Sequence, residues 1–143
     1  MKKKIDVDKL TDILRNHGLK KSTPRLALLN YLRALDRAVS YHEIEKNANL
    51  MLDRVTLYRL LKAFEEHGLV HKTNDLHGNV QYALCASECG HHHHHDMHVH
   101  FSCTACMQTF CLNKISIPQV KLPSGYTASE FNYHINGLCA KCS

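Results

Sequence analysis

The chain has 143 residues, with 18 Lys and Arg against 13 Asp and Glu, 13 His, 7 Cys, no Trp and 44% apolar residues. That length suits one domain or two small ones and buries roughly 70% of the unfolded surface on folding; the apolar fraction is ordinary, and no apolar run approaches the ~18 residues of a membrane span. A membrane protein is not expected, and Met1-Lys2-Lys3-Lys4 runs into Ile5-Asp6-Val7-Asp8 where a secretory signal needs a continuous apolar stretch, so the expected location is the cytoplasm and a disulfide framework is not expected.

Composition divides the chain. Residues 1–84 carry 15 Lys and Arg against 10 Asp and Glu, five His and no Cys, whereas residues 85–143 carry three against three, eight His and all seven Cys. The pattern is a basic module that meets a polyanion followed by a neutral one that meets metal. The boundary is expected near Cys85-Ala86-Ser87-Glu88-Cys89-Gly90, where apolar periodicity stops.

Val7, Leu10, Ile13 and Leu14 share a helical face and Gly18 follows as a stop, which predicts a short amphipathic helix over residues 6–17. Ser22 or Thr23 caps a second helix, with Pro24 in its first turn and Leu26, Leu29, Leu32 and Leu35 spaced for a core face. Ser40-Tyr41-His42-Glu43 has the spacing of a capping box, in which hydroxyl and carboxylate satisfy each other's backbone amides, and it opens a short third helix. Asp53 precedes a fourth helix that ends before Gly68, with Val55, Leu57, Leu60, Leu61 and Phe64 inward and Arg54, Tyr58, Arg59 and Lys62 outside. Leu69-Val70-His71-Lys72-Thr73 and Val80-Gln81-Tyr82-Ala83-Leu84 flank the polar Asn74-Asp75-Leu76-His77-Gly78-Asn79 and read as a two-stranded hairpin. Helices followed by such a hairpin describe a winged helix-turn-helix within an α+β chain, its last helix entering the major groove of DNA. An exposed basic face alone is often only solvated surface, so the order of elements carries this reading more than the charge does.

Cys103-Thr104-Ala105-Cys106 and Cys139-Ala140-Lys141-Cys142 are two CxxC pairs with 32 residues between them. Each such turn holds two thiolates close enough to share a tetrahedral Zn(II) at sulfur distances of ~2.3 Å, and two turns fill all four positions, so this zinc is expected to be structural. Upstream, His98 and His100 are two apart, which on a strand puts both imidazoles on one face, opposite Met97, Val99 and Phe101. The run from His91 to His95 has no periodicity and reads as a metal-scavenging loop. Cys85, Cys89 and Cys111 stand outside the CxxC pairs, and each needs a partner before it counts as a ligand. No HExxH or HxE…PCxxC constellation is present and no Glu sits near His98 or His100 as a base, so an enzyme is not expected.

Gly18-Leu19-Lys20-Lys21-Ser22-Thr23-Pro24-Arg25-Leu26, Thr56-Leu57-Tyr58-Arg59 and His98-Val99-His100-Phe101-Ser102-Cys103-Thr104-Ala105-Cys106, in this order and with the final CxxC, resemble the ferric uptake regulator family, most of all its zinc-responsive branch. The resemblance covers nearly the whole chain. It implies a winged-helix DNA-binding domain over residues 1–84, a His-rich hinge over 85–97, and a small α/β dimerisation and metal-binding domain over 98–143. The implied protein is a homodimeric, metal-dependent repressor of metal-homeostasis genes that binds double-stranded operator DNA. Lys20, Arg54, Thr56, Tyr58 and Arg59 are the implied DNA contacts, Lys20 at the minor groove and Tyr58 and Arg59 in the major groove. Each subunit would hold one structural zinc on Cys103, Cys106, Cys139 and Cys142 and one regulatory zinc on His71, Cys85, His98 and His100. Cys111, five after the second cysteine of the motif, stands where the family usually has a ligating acid and is the rival thiolate to Cys85. Ala38 and Phe131 stand where other members have histidines, and the stretch 115–126, with Pro118 and Pro123, is too short for the family's long helix. Soft N/S ligation favours Zn(II) over Fe(II) at the regulatory site. An iron- or peroxide-responsive regulator, with Fe(II) in that site, is the alternative reading, and a zinc buffer a weaker one.

Overall fold

Each helix begins where a short polar side chain accepts a free backbone amide. Asp6 accepts from Lys9 at 3.0 Å and opens α1 (Val7–Asn16), Ser22 accepts from Arg25 at 3.4 Å and opens α2 (Thr23–Leu35), Ser40 accepts from Glu43 at 3.1 Å and opens α3 (Tyr41–Glu45), and Asp53 accepts from Thr56 at 2.7 Å and opens α4 (Arg54–Glu66). The computed structural model describes residues 6–85, 98–115, 117–129 and 131–143. The run from His91 to His95, Cys89 and Met97 therefore lie outside the described residues.

A two-residue strand β1 (Val39–Ser40) precedes α3, and after α4 come β2 (Val70–Asn74) and β3 (Val80–Leu84). The expected hairpin is thus a three-stranded antiparallel sheet in the order β1-β3-β2, with Val39 opposite Tyr82 and His71 opposite Ala83. Two residues carry no alternation, which is why β1 has no signature in the sequence. At the hairpin tip the Asp75 carboxylate accepts the amides of His77 and Asn79, and Gly78 takes the positive φ of +80° that closes the turn.

One apolar core joins the helices to this sheet. Leu10 and Leu14 of α1, Leu28, Leu29 and Leu32 of α2, Ile44 of α3, Leu57, Leu60, Leu61 and Phe64 of α4, and Val39 and Val70 of the strands are buried in it. Two expectations change here. Leu28 is buried while Leu26 and Leu35 only flank the core, so the buried stripe of α2 is rotated from the expected one. Val55, expected inward, is 58% exposed, because the inward face of α4 runs through Leu57, Leu60, Leu61 and Phe64 and leaves residue 55 on the opposite side. The capping box also forms by half: Ser40 caps, but the Glu43 carboxylate is taken by the Arg37 guanidinium.

The C-terminal part is a second three-stranded sheet in the order β5-β4-β6, from β4 (Val99–Cys103), β5 (Thr109–Leu112) and β6 (His134–Gly137). β5 runs antiparallel to β4, with His100 opposite Cys111, and β6 runs parallel to it, with Cys103 opposite Gly137. A parallel neighbour requires a long crossover, and here its described stretch 117–129 is irregular, in keeping with Pro118 and Pro123. The amide of Ala38 donates to the Thr109 carbonyl at 2.8 Å, a backbone bond between the two parts.

Candidate metal centres and nucleic-acid interface

The parallel pairing of β4 with β6 lays the two CxxC turns side by side, because Cys103 ends β4 and Cys139 follows β6 by two residues. The sulfurs of Cys103, Cys106, Cys139 and Cys142 all lie within 4.8 Å of one another, with Cys106 Sγ 3.9 Å from Cys139 Sγ. Tetrahedral zinc with Zn–S bonds of ~2.3 Å sets its sulfurs about 3.8 Å apart, so the cluster fits that ion in donor type, number and spacing. The amides of Cys106 and Cys139 donate to Cys103 Sγ at 3.5 and 3.4 Å, and the amide of Thr104 donates to the Gly137 carbonyl at 2.8 Å. Those two amides pull the buried Cys103 thiol down to about 6, while the neighbouring sulfurs of Cys139 and Cys103 push Cys142 up to about 12. Tetrahedral zinc takes its cysteine ligands as thiolates, so metal binding at this cluster would release protons.

The second cluster draws on both parts of the chain. The antiparallel register sets Cys111 directly across from His100, and His98, two residues before His100, shares its face, as the alternation of a strand requires. His71 reaches this face from β2. Its Nε2 lies 3.2 Å from His98 Nε2, 3.1 Å from His100 Nε2 and 3.4 Å from Cys111 Sγ, and one ligand atom from each of the four residues lies within 4.8 Å of the others. A tetrahedral ion with Zn–N bonds of ~2.0 to 2.1 Å spaces its nitrogens about 3.3 Å apart and a nitrogen from a sulfur about 3.6 Å apart. His71 and His98 are buried, and His100 and Cys111 are half-buried. Of the expected set, the structure brings His71, His98 and His100 together and puts Cys85 elsewhere. Cys85 Sγ lies 3.4 Å from Nδ1 of His71, on the side of the ring away from the cluster, because the Cys85 amide continues the β3 ladder onto the Leu69 carbonyl. Cys111 takes the place beside Nε2. Behind the cluster, Ser102 Oγ lies 2.7 Å from His134 Nε2 and 3.1 Å from Thr109 Oγ1, which satisfies the buried hydroxyls of both strands.

The remaining expected residues lie on the helical part. Lys20 is exposed between α1 and α2, and its carbonyl accepts Arg25 Nη1 at 2.7 Å. Tyr58 and Arg59 project from the outer face of α4, and among the described residues neither side chain makes a hydrogen bond or ion pair. Arg54 and Thr56 are engaged within the fold: Arg54 Nε donates to Glu45 Oε1 at 2.8 Å, and the Thr56 hydroxyl donates to Asp53 Oδ2 at 3.0 Å. The amide and hydroxyl of Thr56 hold the Asp53 carboxyl below its usual range, which keeps the cap ionised at the N-terminus of α4. Among the described residues no helix is long and apolar enough to cross a membrane.

The model of the Ferric uptake regulator family matches residues 16–137. The ferric uptake regulation protein of Bordetella parapertussis is 27% identical over 137 residues, spanning 90% of this chain and 93% of that protein. Among solved structures, a zinc uptake regulator complexed with zinc and DNA has a TM-score of 0.61 at 20% identity, covering 95% of this chain and 91% of that one. The Vibrio cholerae ferric uptake regulator has a TM-score of 0.56 at 20% identity, covering 90% of this chain and 98% of that one. At such identity the two structures are likenesses of fold.

Proposed function

The chain belongs to the ferric uptake regulator family of metal-responsive regulators, and on that premise we propose that it is a zinc-dependent transcriptional repressor that binds operator DNA as a homodimer. The observation that carries the choice of metal is the donor set of the second cluster, three imidazole nitrogens and one sulfur within 4.8 Å of one another. Fe(II) is better served by imidazole and carboxylate in a larger shell, and no Asp or Glu belongs to this cluster among the described residues. Residues 1–84 serve as the winged-helix domain, 85–97 as the hinge and 98–143 as the dimerisation domain. Cys103, Cys106, Cys139 and Cys142 hold the structural zinc, and His71, His98, His100 and Cys111 hold the regulatory one.

The likeness to a zinc uptake regulator solved with zinc and DNA supports this reading. Zinc held by these four residues would act as a Lewis acid suited to N and S donors. His71 ties the wing to β4 and β5 there, and the Ala38–Thr109 backbone bond sits alongside, so the four side chains and this bond set the angle between the winged helix and the second sheet. Ligation shifts the protein toward the DNA-binding arrangement only by as much as the four donors bind zinc better in that arrangement. Cys85 acts at one remove, holding the His71 ring through Nδ1 so that Nε2 faces the cluster. The test is a DNA-binding titration at fixed salt, starting from protein that keeps its four-cysteine zinc and adding zinc, then Fe(II) without oxygen. Zinc should restore binding at lower free concentration than iron, and the reverse order contradicts the assignment.

A further inference from the structure

The outward stripe of α4 holds one residue that the basic face does not explain. Helical spacing puts Val55, Tyr58, Arg59 and Lys62 on one face, and all four are exposed, Val55 by 58% and Tyr58 by 60%. Val55 sits in the first turn of α4, and a recognition helix contacts base edges with its N-terminal residues. The two polar neighbours that would be expected to read bases there are committed elsewhere, Arg54 to Glu45 and Thr56 to the Asp53 cap. Tyr41 of α3 donates its hydroxyl to the Arg54 carbonyl at 2.8 Å, which pins α3 against the start of α4. Between the two helices this leaves an open groove lined by Tyr41, His42, Glu45, Arg54, Val55 and Tyr58, with Val55 and Tyr58 as its apolar wall.

Resting on the DNA-binding reading above, we propose that Val55, with Tyr58, forms the seat for the C5-methyl group of a thymine in the major groove, and that Val55 is a specificity-determining residue of this protein. In the major groove, the C5-methyl of thymine is the one apolar group on a base edge, and apolar side chains recognise it by contact. Lys62, further along the same stripe, supplies a cation for the phosphates, and Val55 at the head of the stripe lies where a recognition helix meets base edges.

The probe is a duplex selected from a random pool by the zinc-loaded wild-type protein, then remade with uracil in place of each thymine in turn, which removes only the methyl group. Wild type should bind about four-fold more weakly at one thymine of each half-site, the worth of one buried methyl. Val55→Ala, an exposed helical position where alanine favours the fold, should lose a similar factor on the thymine duplex and lose nothing further on the uracil duplex. Tight wild-type binding that ignores uracil everywhere overturns the seat. Retention of the full uracil penalty in Val55→Ala overturns the role of Val55 and passes the contact to Tyr58. A pool from which zinc-loaded protein selects no duplex overturns the DNA-binding reading itself, and this inference with it.

Discussion

In the N-terminal part, leucines of α1, α2 and α4 close around Phe64 in one continuous core. Among the described residues of the C-terminal part the buried positions are His98, Val99, Ser102, Cys103 and Thr109, while Ile135 and Leu138 at the β6 end stand 46% and 52% exposed. The first part buries enough apolar surface to hold its shape by the hydrophobic effect. In the second, the described residues gather four sulfurs at one end of the sheet and three imidazoles with a thiol at the other, the groups proposed to hold metal. Exposed apolar residues of this kind fit burial against a second copy in the proposed homodimer. In the proposed sensor this division lets the winged helix keep its fold with or without metal while the joint between the parts responds.

The largest expected effect is loss of the sulfur knot. Cys142→Ser should lose the tightly held zinc and with it the order and pairing of the second sheet, since structural zinc in small domains contributes as much as their whole stability. Metal content together with sedimentation checks this, and a zinc-free variant that remains a well-folded dimer breaks the contrast. The opposite lesion is Phe64→Ala, which should cost about 3 to 5 kcal/mol of stability in the winged helix through a cavity in its core. The four-cysteine zinc should stay in place, as read by metal retention beside the helical unfolding transition; joint loss of both would mean the two parts fold as one unit. Smaller again is Arg59→Ala, which should leave both folds intact and cost about 1 to 3 kcal/mol of binding to the selected duplex. Wild-type affinity in that variant would show that the outer stripe of α4 does not face DNA.

Much of this was legible because it is local. Ser22, Ser40 and Asp53 sit at helix starts for reasons confined to three or four residues, and the CxxC spacing carries its own tetrahedral geometry. The errors arise where an answer depends on residues far apart in the chain. Val55 reads as inward because it is apolar, but the side of α4 that meets the core is set by α1 and α2. Glu43 has the spacing for a reciprocal cap, but Arg37, six residues earlier, takes its carboxylate. Cys85 ends the strand leading to the hinge and so looks like the ligand, whereas the β4–β5 register, pairing His100 with Cys111, brings the Cys111 sulfur to the Nε2 side of His71 and leaves Cys85 at Nδ1. No pattern within either segment encodes that register directly.

In the proposed mechanism His71, His98, His100 and Cys111 form the joint through which metal acts, with Cys85 behind His71. The direct test compares zinc-responsive DNA binding in Cys111→Ser and Cys85→Ser, each shown to retain its four-cysteine zinc. Coupling of ~1 to 3 kcal/mol makes the wild-type response about 5- to 150-fold in affinity. Cys111→Ser should lose that response, while Cys85→Ser should keep it and need somewhat more zinc. Loss of response in Cys85→Ser with a full response in Cys111→Ser would contradict the assignment of the thiolate and of the joint built on it.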